Sequence, residues 1–402
     1  MSGNALSVVA TRDLSRRAFL QRSAAIAGVG MVSPFVFVRS ARATKIELHR
    51  YLRGKLEEIV TPSIAVAVVR GGEIVFATGV GKADIVQGID ATEDTVYQLA
   101  SVSKTVTCAG IMTLVEDGVL DLDVDINGYL PFEVHIPATP RKPITLRQLL
   151  THTGSIRDHG AVWGTPRTDP TLYFHGDSPI PLRRFLHSYF AEGASRYDAK
   201  LNFYERAPGT GYDYSNFGVA LAGYVAEAAS GVDFDELCKE RILLPLGMTD
   251  SGFRLADIGT TNLAMPYYDK HGFKPIYQYG YPDYPDGALR TSAAHLARWL
   301  GAFKNDGAFD GERVLRRSTV EEIRRNQISD IVTWRQGLIW YEVLRWGFPI
   351  LGHTGGDFGE STRMFYAPKL DVGVVSLTNA YLGRRQWRAF SDIERHLFHV
   401  FS

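Results

Sequence analysis

Cysteine is scarce: two residues, Cys108 and Cys238, in a chain of 402. That count excludes a scaffold held together by disulfides. Both sit in segments with helical spacing of apolar residues and read as buried free thiols rather than as a bridge. An excess of charge of either sign is also missing. Forty-four Lys and Arg balance forty-four Asp and Glu, so no composition-level signal points to nucleic acid or to an anionic membrane surface as partner. Repeats, low-complexity tracts and linkers are absent as well. The longest moderately apolar run, residues 24–38, contains two glycines and Pro34 and makes a poor membrane span. What remains, 45% hydrophobic and 22% charged, is the composition of a globular domain with a sizeable core.

The first 43 residues read as an export signal and not as part of the fold. Ser15-Arg16-Arg17-Ala18-Phe19-Leu20 is a twin-arginine signature, the apolar run follows it, and Ala41-Arg42-Ala43 is a small-x-small cleavage site. The expected product is residues 44–402 in the periplasm or secreted medium, with a net charge of −5 and no stable membrane insertion. This route carries proteins that have already folded, which suits a chain with so few thiols.

The coarse pattern is strands at both ends and helices between. A helix is expected over 45–59. The runs 64–70 and 73–79 read as strands of a hairpin turned by Gly71-Gly72. Short helices are expected at 144–151, 219–229, 292–303 and 318–326, and a last one over 385–401. The runs 337–344, 350–354, 363–367 and 372–378 read as strands. Residues 155–213 are irregular and rich in Pro, Gly, Tyr and Asp, and read as long loops. Residues 266–285 carry six tyrosines with no helical or strand period. They read either as a solvated loop or as a substrate-facing rim. Asp121, Asp123 and Asp125 mimic the start of a calcium loop, but Ile126 and Phe132 occupy its sixth and twelfth positions. A solvated turn is the reading. His396 and His399 lie three apart without a third ligand in view. No metal and no cofactor is expected.

Three short elements carry chemistry. The first is Ala100-Ser101-Val102-Ser103-Lys104. Ser101 and Lys104, three apart, share one face at the start of an apolar helix that Gly118 stops. A serine hydroxyl needs a base. A lysine serves if its surroundings depress its pKa, and burial of this helix is expected to desolvate Lys104. The second is Tyr214-Ser215-Asn216, at a turn before an apolar helix. A phenol there can shuttle a proton in a cleft beside an ammonium, and Asn216 can hydrogen-bond both a lysine and a substrate carbonyl. The third is Gly352-His353-Thr354-Gly355-Gly356. His-Thr-Gly occurs twice, and the copy at His353 is preferred over that at His152 because it lies in an apolar strand. There, glycines allow a substrate backbone to approach and a backbone N–H joins that of Ser101 to hold an oxyanion.

In this order and with these gaps, the three elements resemble the serine beta-lactamase-related family. That family includes class C beta-lactamases, D-alanyl-D-alanine carboxypeptidases, D-aminopeptidases and certain esterases. Leu149-Leu150-Thr151-His152-Thr153-Gly154 and Gly287-Ala288-Leu289-Arg290-Thr291 also look like family landmarks. The resemblance implies a mixed α/β (α+β) fold. An antiparallel sheet, about 44–100 plus 286–402, is flanked by helices and interrupted by a mainly helical region, about 101–285. It implies that Ser101 is acylated, that Lys104 and Tyr214 share acid and base duty, and that the N–H groups of Ser101 and Gly356 bind the oxyanion. Asn216, His353, Thr354 and Gly355 would contact substrate. The departure is His353 where penicillin-recognising members carry lysine, which offers less fixed charge to a substrate carboxylate. The expected substrate is therefore a small ester or amide. Cell-wall peptides or beta-lactams are the second choice, and a slowly turning-over acylated sensor is the third.

Overall fold

The computed structural model describes residues 41–165, 172–268 and 272–402. The twin-arginine segment and the apolar run after it lie outside the described residues. Helix α1, Ala41–Ile59, begins at the expected cleavage tripeptide and leads into strands β1, Ser63–Arg70, and β2, Glu73–Asp84. Gly71 and Gly72 turn this hairpin with φ of +57° and +90°. Two positive φ values in succession define a turn that matches the twist of paired strands. The two-residue β3, Ile89–Asp90, closes this edge of the sheet.

The chain returns to the same sheet near its end. Strands β4, Arg335–Gln336, β5, Tyr341–Arg345, β6, Phe348–Asp357, β7, Glu360–Ala367, and β8, Val372–Thr378, form an antiparallel meander. The strand order is β4-β5-β6-β7-β8-β1-β2-β3, so β8 and β1 pair at the middle, with Ala65 opposite Leu377 and Arg70 opposite Val372. The sheet is thus completed from both ends of the chain.

Both faces of the sheet are covered, and β1 shows why its sequence is almost wholly apolar. Ile64, Val66 and Val68 point to one face, where they pack with Leu48, Leu52 and Ile59 of α1 and with Phe390, Ile393 and Leu397 of the last helix. Ala65, Ala67 and Val69 point to the other, into the main core. The period of two along a strand sorts alternate residues between two layers of helices. Residues Lys45–Ser402 form one compact unit. The remaining labelled helices are α2, Ser103–Glu116, α3, Leu182–Phe190, α4, Asn216–Ser230, α5, Ala293–Lys304, and α6, Arg384–Phe401. None of the described helices is long and apolar enough to cross a membrane.

Three expectations change. Residues 155–213 are not all loop, because Leu182–Phe190 is helical and buries Phe185, Leu186, Tyr189 and Phe190. Residues 337–340 are not strand. Ile339 has φ of +64°, and its N–H donates to the Leu150 carbonyl at 2.7 Å instead of to a sheet neighbour. The tyrosine-rich stretch is no solvated loop: Tyr267, Tyr279, Tyr281 and Tyr284 are buried, and Tyr268 is exposed. The aspartates near 121–125 serve local structure. Asp123 is paired with Arg147 at 2.6 Å, and Asp125 caps a turn of 3₁₀-helix at Ile126–Gly128.

Candidate active site

Ser101 does not lie in α2 itself but in the turn of 3₁₀-helix that precedes it, Ala100–Val102. The turn is entered through Ala100 at φ of +48°, a conformation that costs a non-glycine residue about 1–3 kcal/mol and is tolerated where its surroundings impose it. Those surroundings are visible. The Leu99 N–H donates to the Leu289 carbonyl at 2.8 Å, and the Thr362 hydroxyl donates to the Leu99 carbonyl at 2.6 Å. The nucleophile turn is therefore clamped between residue 289 and strand β7.

Lys104 is fully buried, with 0% exposure. Its Nζ lies 3.0 Å from Ser101 Oγ, 2.6 Å from Asn216 Oδ1 and 2.7 Å from the Asp286 carbonyl oxygen. Three acceptors for three ammonium hydrogens leave no donor over. Burial works against this charge, but Tyr214, Asp286 and Asp158 outweigh it, and the Lys104 pKa is raised. This reverses the expectation that burial of the helix would depress it. The desolvation is real, but a set of acidic and phenolic neighbours more than offsets it. Lys104 is thus held as a fixed positive charge.

Tyr214 keeps 38% of its surface exposed, and the Lys104 ammonium sits 5.2 Å from its ring centroid. Its turn is fixed by a residue that the sequence did not single out. Asp158 accepts from Ser215 Oγ at 2.8 Å, from the Asn216 N–H at 2.7 Å and from the Phe217 N–H at 3.1 Å. A carboxylate there also faces the positive end of α4. Ser215 caps the same helix by accepting from the Gly218 N–H.

Both copies of His-Thr-Gly reach this site. His353 is on β6, and its Nδ1 lies 2.6 Å from the Thr354 carbonyl oxygen. A carbonyl only accepts, so Nδ1 carries the proton and Nε2 is an acceptor. Burial, then the Lys104 charge, push the His353 pKa down to about 3, so the ring is neutral. His152, the copy set aside, stands 4.3 Å from Tyr214, ring to ring. Its Nδ1 accepts from the Ser215 N–H at 3.3 Å, and its carbonyl accepts from the Asp213 N–H. That fixes a proton on Nε2, which is buried without a hydrogen-bond partner among the described residues. The repeated tripeptide was the available signal for His152. Asp158 had none.

The remaining strand residues take different parts. Thr354 Oγ1 lies 3.2 Å from the Tyr341 hydroxyl. At Gly355 the close approach is to the protein's own backbone and not to a substrate. A Cβ there would stand 2.3 Å from the Leu99 carbonyl oxygen, 2.4 Å from Thr362 Oγ1 and 3.0 Å from the Ser101 nitrogen. Glycine lets β6 lie against the nucleophile turn. Gly356 is exposed and open to the cleft.

Ser101 and Gly356 lie between two chambers. One, of about 330 Å³, includes His152, Tyr212, Tyr214, Tyr341, His353 and Thr354 in its wall. The other, of about 130 Å³, is lined by Tyr173, Asn216, Tyr281 and three carboxylic residues, Asp283, Asp286 and Asp357. Of the tyrosine-rich stretch, Tyr281 faces the small chamber. Tyr279 is packed behind it, with its hydroxyl 2.7 Å from Glu360 Oε2.

The profile of the Beta-lactamase family matches residues 48–389. The chain belongs to the Beta-lactamase family. Members of this family are serine hydrolases, among them esterases, peptidases and beta-lactamases. Penicillin-binding protein 4 of Amycolatopsis lactamdurans is 27% identical over 329 residues, 77% of this chain and 78% of that protein. Esterase EstB of Burkholderia gladioli is 34% identical over 209 residues, about half of each chain (51% and 50%). The fold is that of the octameric penicillin-binding protein homologue from Pyrococcus abyssi, with a TM-score of 0.72 and 25% identity over 87% of this chain and 77% of that one.

Proposed function

We propose that the protein is an exported serine hydrolase that forms an acyl-enzyme at Ser101 on a small ester or amide. The observation that carries this is Lys104, buried, charged and bonded at once to Ser101 Oγ, Asn216 and the Asp286 carbonyl. In this reading Tyr214 is the base. In its phenolate form, facing the fixed Lys104 ammonium, it takes the Ser101 proton and becomes the phenol. Ser101 Oγ attacks the substrate carbonyl, and the N–H groups of Ser101 and Gly356 hold the oxyanion. Donors of this kind are worth about 10²–10³-fold each in rate. Tyr214 then returns the proton to the leaving group, which departs through the chamber that Tyr214 borders. Water cleaves the acyl-enzyme with the same residue as base.

The preference for esters and small amides rests on His353. A neutral ring that presents an acceptor to the cleft does not anchor a substrate carboxylate as a lysine would. Export rests on Arg16-Arg17 and the apolar run after them.

The test uses residues 44–402 and Ser101→Ala, assayed with p-nitrophenyl butyrate, nitrocefin and a peptide ending in D-alanyl-D-alanine, with mass spectrometry for an adduct. Ester turnover that is lost in the variant, with little cleavage of the other two, supports the proposal. Rapid cleavage of nitrocefin or the peptide favours a cell-wall role. An adduct without turnover favours a sensor. Activity that survives in Ser101→Ala overturns the mechanism.

A further inference from the structure

A third cavity, of about 660 Å³, adjoins the larger chamber. The two share Tyr341 and Thr354 in their walls, whereas the small chamber shares no residue with it. In its wall stands Arg363, on β7 opposite Thr354 and only 5% exposed. The Arg363 Nε donates to Glu394 Oε1 at 2.7 Å. The guanidinium lies over two rings, 5.1 Å from the centroid of Phe365 and 5.6 Å from that of Trp387. Those contacts fix the plane of the fork. Neither terminal nitrogen has a hydrogen bond among the described residues, and neither is sealed from solvent. Glu394 Oε2 does not take them up, for it too lacks a partner among the described residues. Trp387 also stands 3.7 Å from where a Cβ on Gly356 would be, so the cavity abuts the strand that carries the oxyanion donor.

Charge in this cavity is one-sided. Arg345 and Arg388, both exposed, line it together with Arg363. Glu394 answers Arg363, and Asp392, the carboxylate in the wall, is paired with Arg395 at 3.0 Å. Arg345 and Arg388 have no ion pair among the described residues. Two uncompensated charges and a buried, open fork suit an anion of two charges and three acceptor oxygens better than a single carboxylate. A phosphate monoester is such an anion. The leaving group takes its proton from Tyr214, which borders the larger chamber, so the part of a substrate that reaches the third cavity belongs to the leaving group. We propose that the leaving group carries a phosphate, so that the natural substrate is a small acyl ester of a phosphorylated alcohol. The Arg363 fork would hold two phosphate oxygens, and Arg345 and Arg388 would close over the rest. The anion would lie beyond His353, whose ring presents an acceptor and repels an anion beside the scissile bond. This inference rests on the acyl-enzyme reading above and adds the class of leaving group to it.

The test is run at constant ionic strength on wild type, on Arg388→Ala and on Arg363→Lys, which keeps a cation for Glu394 but loses the fork. Monophosphates of ethylene, trimethylene and tetramethylene glycol, acetylated on the free hydroxyl, are compared with the neutral monoacetates and with acetoxy carboxylates of matching tether. For at least one tether, kcat/KM should be at least about tenfold higher for the phosphate than for the neutral ester, and higher than for the carboxylate, because charge-assisted bonds to a guanidinium fork are strong. The ratio of phosphate to neutral ester should fall towards one in both variants. A series in which no tether prefers phosphate, a carboxylate preferred over it, or a preference that persists in both variants overturns the proposal. If charged and neutral esters turn over equally and depend on Ser101, the hydrolase reading stands and this one falls. A second measurement does not need turnover. Inorganic phosphate should bind Ser101→Ala at one site by titration calorimetry, and at least about tenfold more weakly once Arg388→Ala is added. It should also compete with the phosphate esters in wild type. Phosphate that binds without competing would mark a free-anion site and refute the proposed leaving group, and absence of binding refutes the site.

Discussion

His353→Gln offers a measurement in which one buried ring should dominate the outcome. His353 is buried and close to Lys104, and its pKa falls to about 3 in the folded protein from the ordinary 6.5 of an unfolded chain. Between those two values the unfolded state binds a proton that the folded state does not. Stability therefore falls as the pH drops below 6.5, and stops falling below 3. From pH 7.5 to 4.5 this one group should cost the wild type about 3 kcal/mol, and about 5 kcal/mol over the full window. Glutamine does not titrate. His152, lowered by burial, by Lys104 and by His353 itself, is present in both proteins. Urea unfolding followed by tryptophan fluorescence at half-unit pH steps would give the difference between wild type and variant. That difference should shift against the wild type by about 3 kcal/mol between pH 7.5 and 4.5. Parallel curves would mean that His353 keeps a near-ordinary pKa and that the cleft around it is wet, and the neutral-ring argument for substrate choice would go with it.

Gly355→Ala would place a methyl group 2.3 Å from the Leu99 carbonyl oxygen and push β6 off the nucleophile turn. We expect kcat for p-nitrophenyl butyrate to fall by about 10²–10³-fold, the value of one oxyanion donor; a fall of less than threefold would show that the strand absorbs the methyl. Asp158→Ala removes the acceptor of three hydrogen bonds and should lower stability by about 2–4 kcal/mol in urea unfolding. It should also reduce kcat, with partial recovery in Asp158→Asn. Tyr279→Phe leaves Glu360 buried without its 2.7 Å partner and should cost about 1–3 kcal/mol. KM for aryl esters should not change, since Tyr279 stands behind the chamber wall; a change in KM would restore it to the substrate rim.

The sheet was legible because its signals are local. Gly71-Gly72 turns a hairpin, and β1 and β8 are short, valine-rich, largely apolar runs. The run at 337–340 misled because a buried apolar stretch has no period to tell strand from irregular backbone, and Ile339 takes a positive φ. Ser101, Lys104, Tyr214 and Asn216 were legible as motifs, and the structure brings them within bonding distance or ring contact. The sign of the Lys104 shift was not. It depends on Tyr214 and Asp286, more than a hundred residues away, and local sequence carries no measure of their distance. His152 was discarded on secondary structure alone, although what matters is that the loop at 212–216 folds back over it. Asp158 belongs to no motif, and its role exists only once α4 has docked.

The pairing of β1 with β8 bears on synthesis as well as on architecture. Some three hundred residues separate Arg70 from Val372, and the strand that carries Gly356 lies within the last fifth of the chain. A ribosome-bound chain that has released Ser101, Lys104 and Tyr214 still has no second oxyanion donor, and β1 waits with one edge unpaired. Contacts of such separation form late, and an open apolar edge invites pairing with other chains. The enzyme should therefore be silent until the strands that carry Gly356 and pair with β1 have been made, and exposed to mispairing during the interval. A stop codon anywhere before β8 would yield an aggregating chain rather than a weak hydrolase.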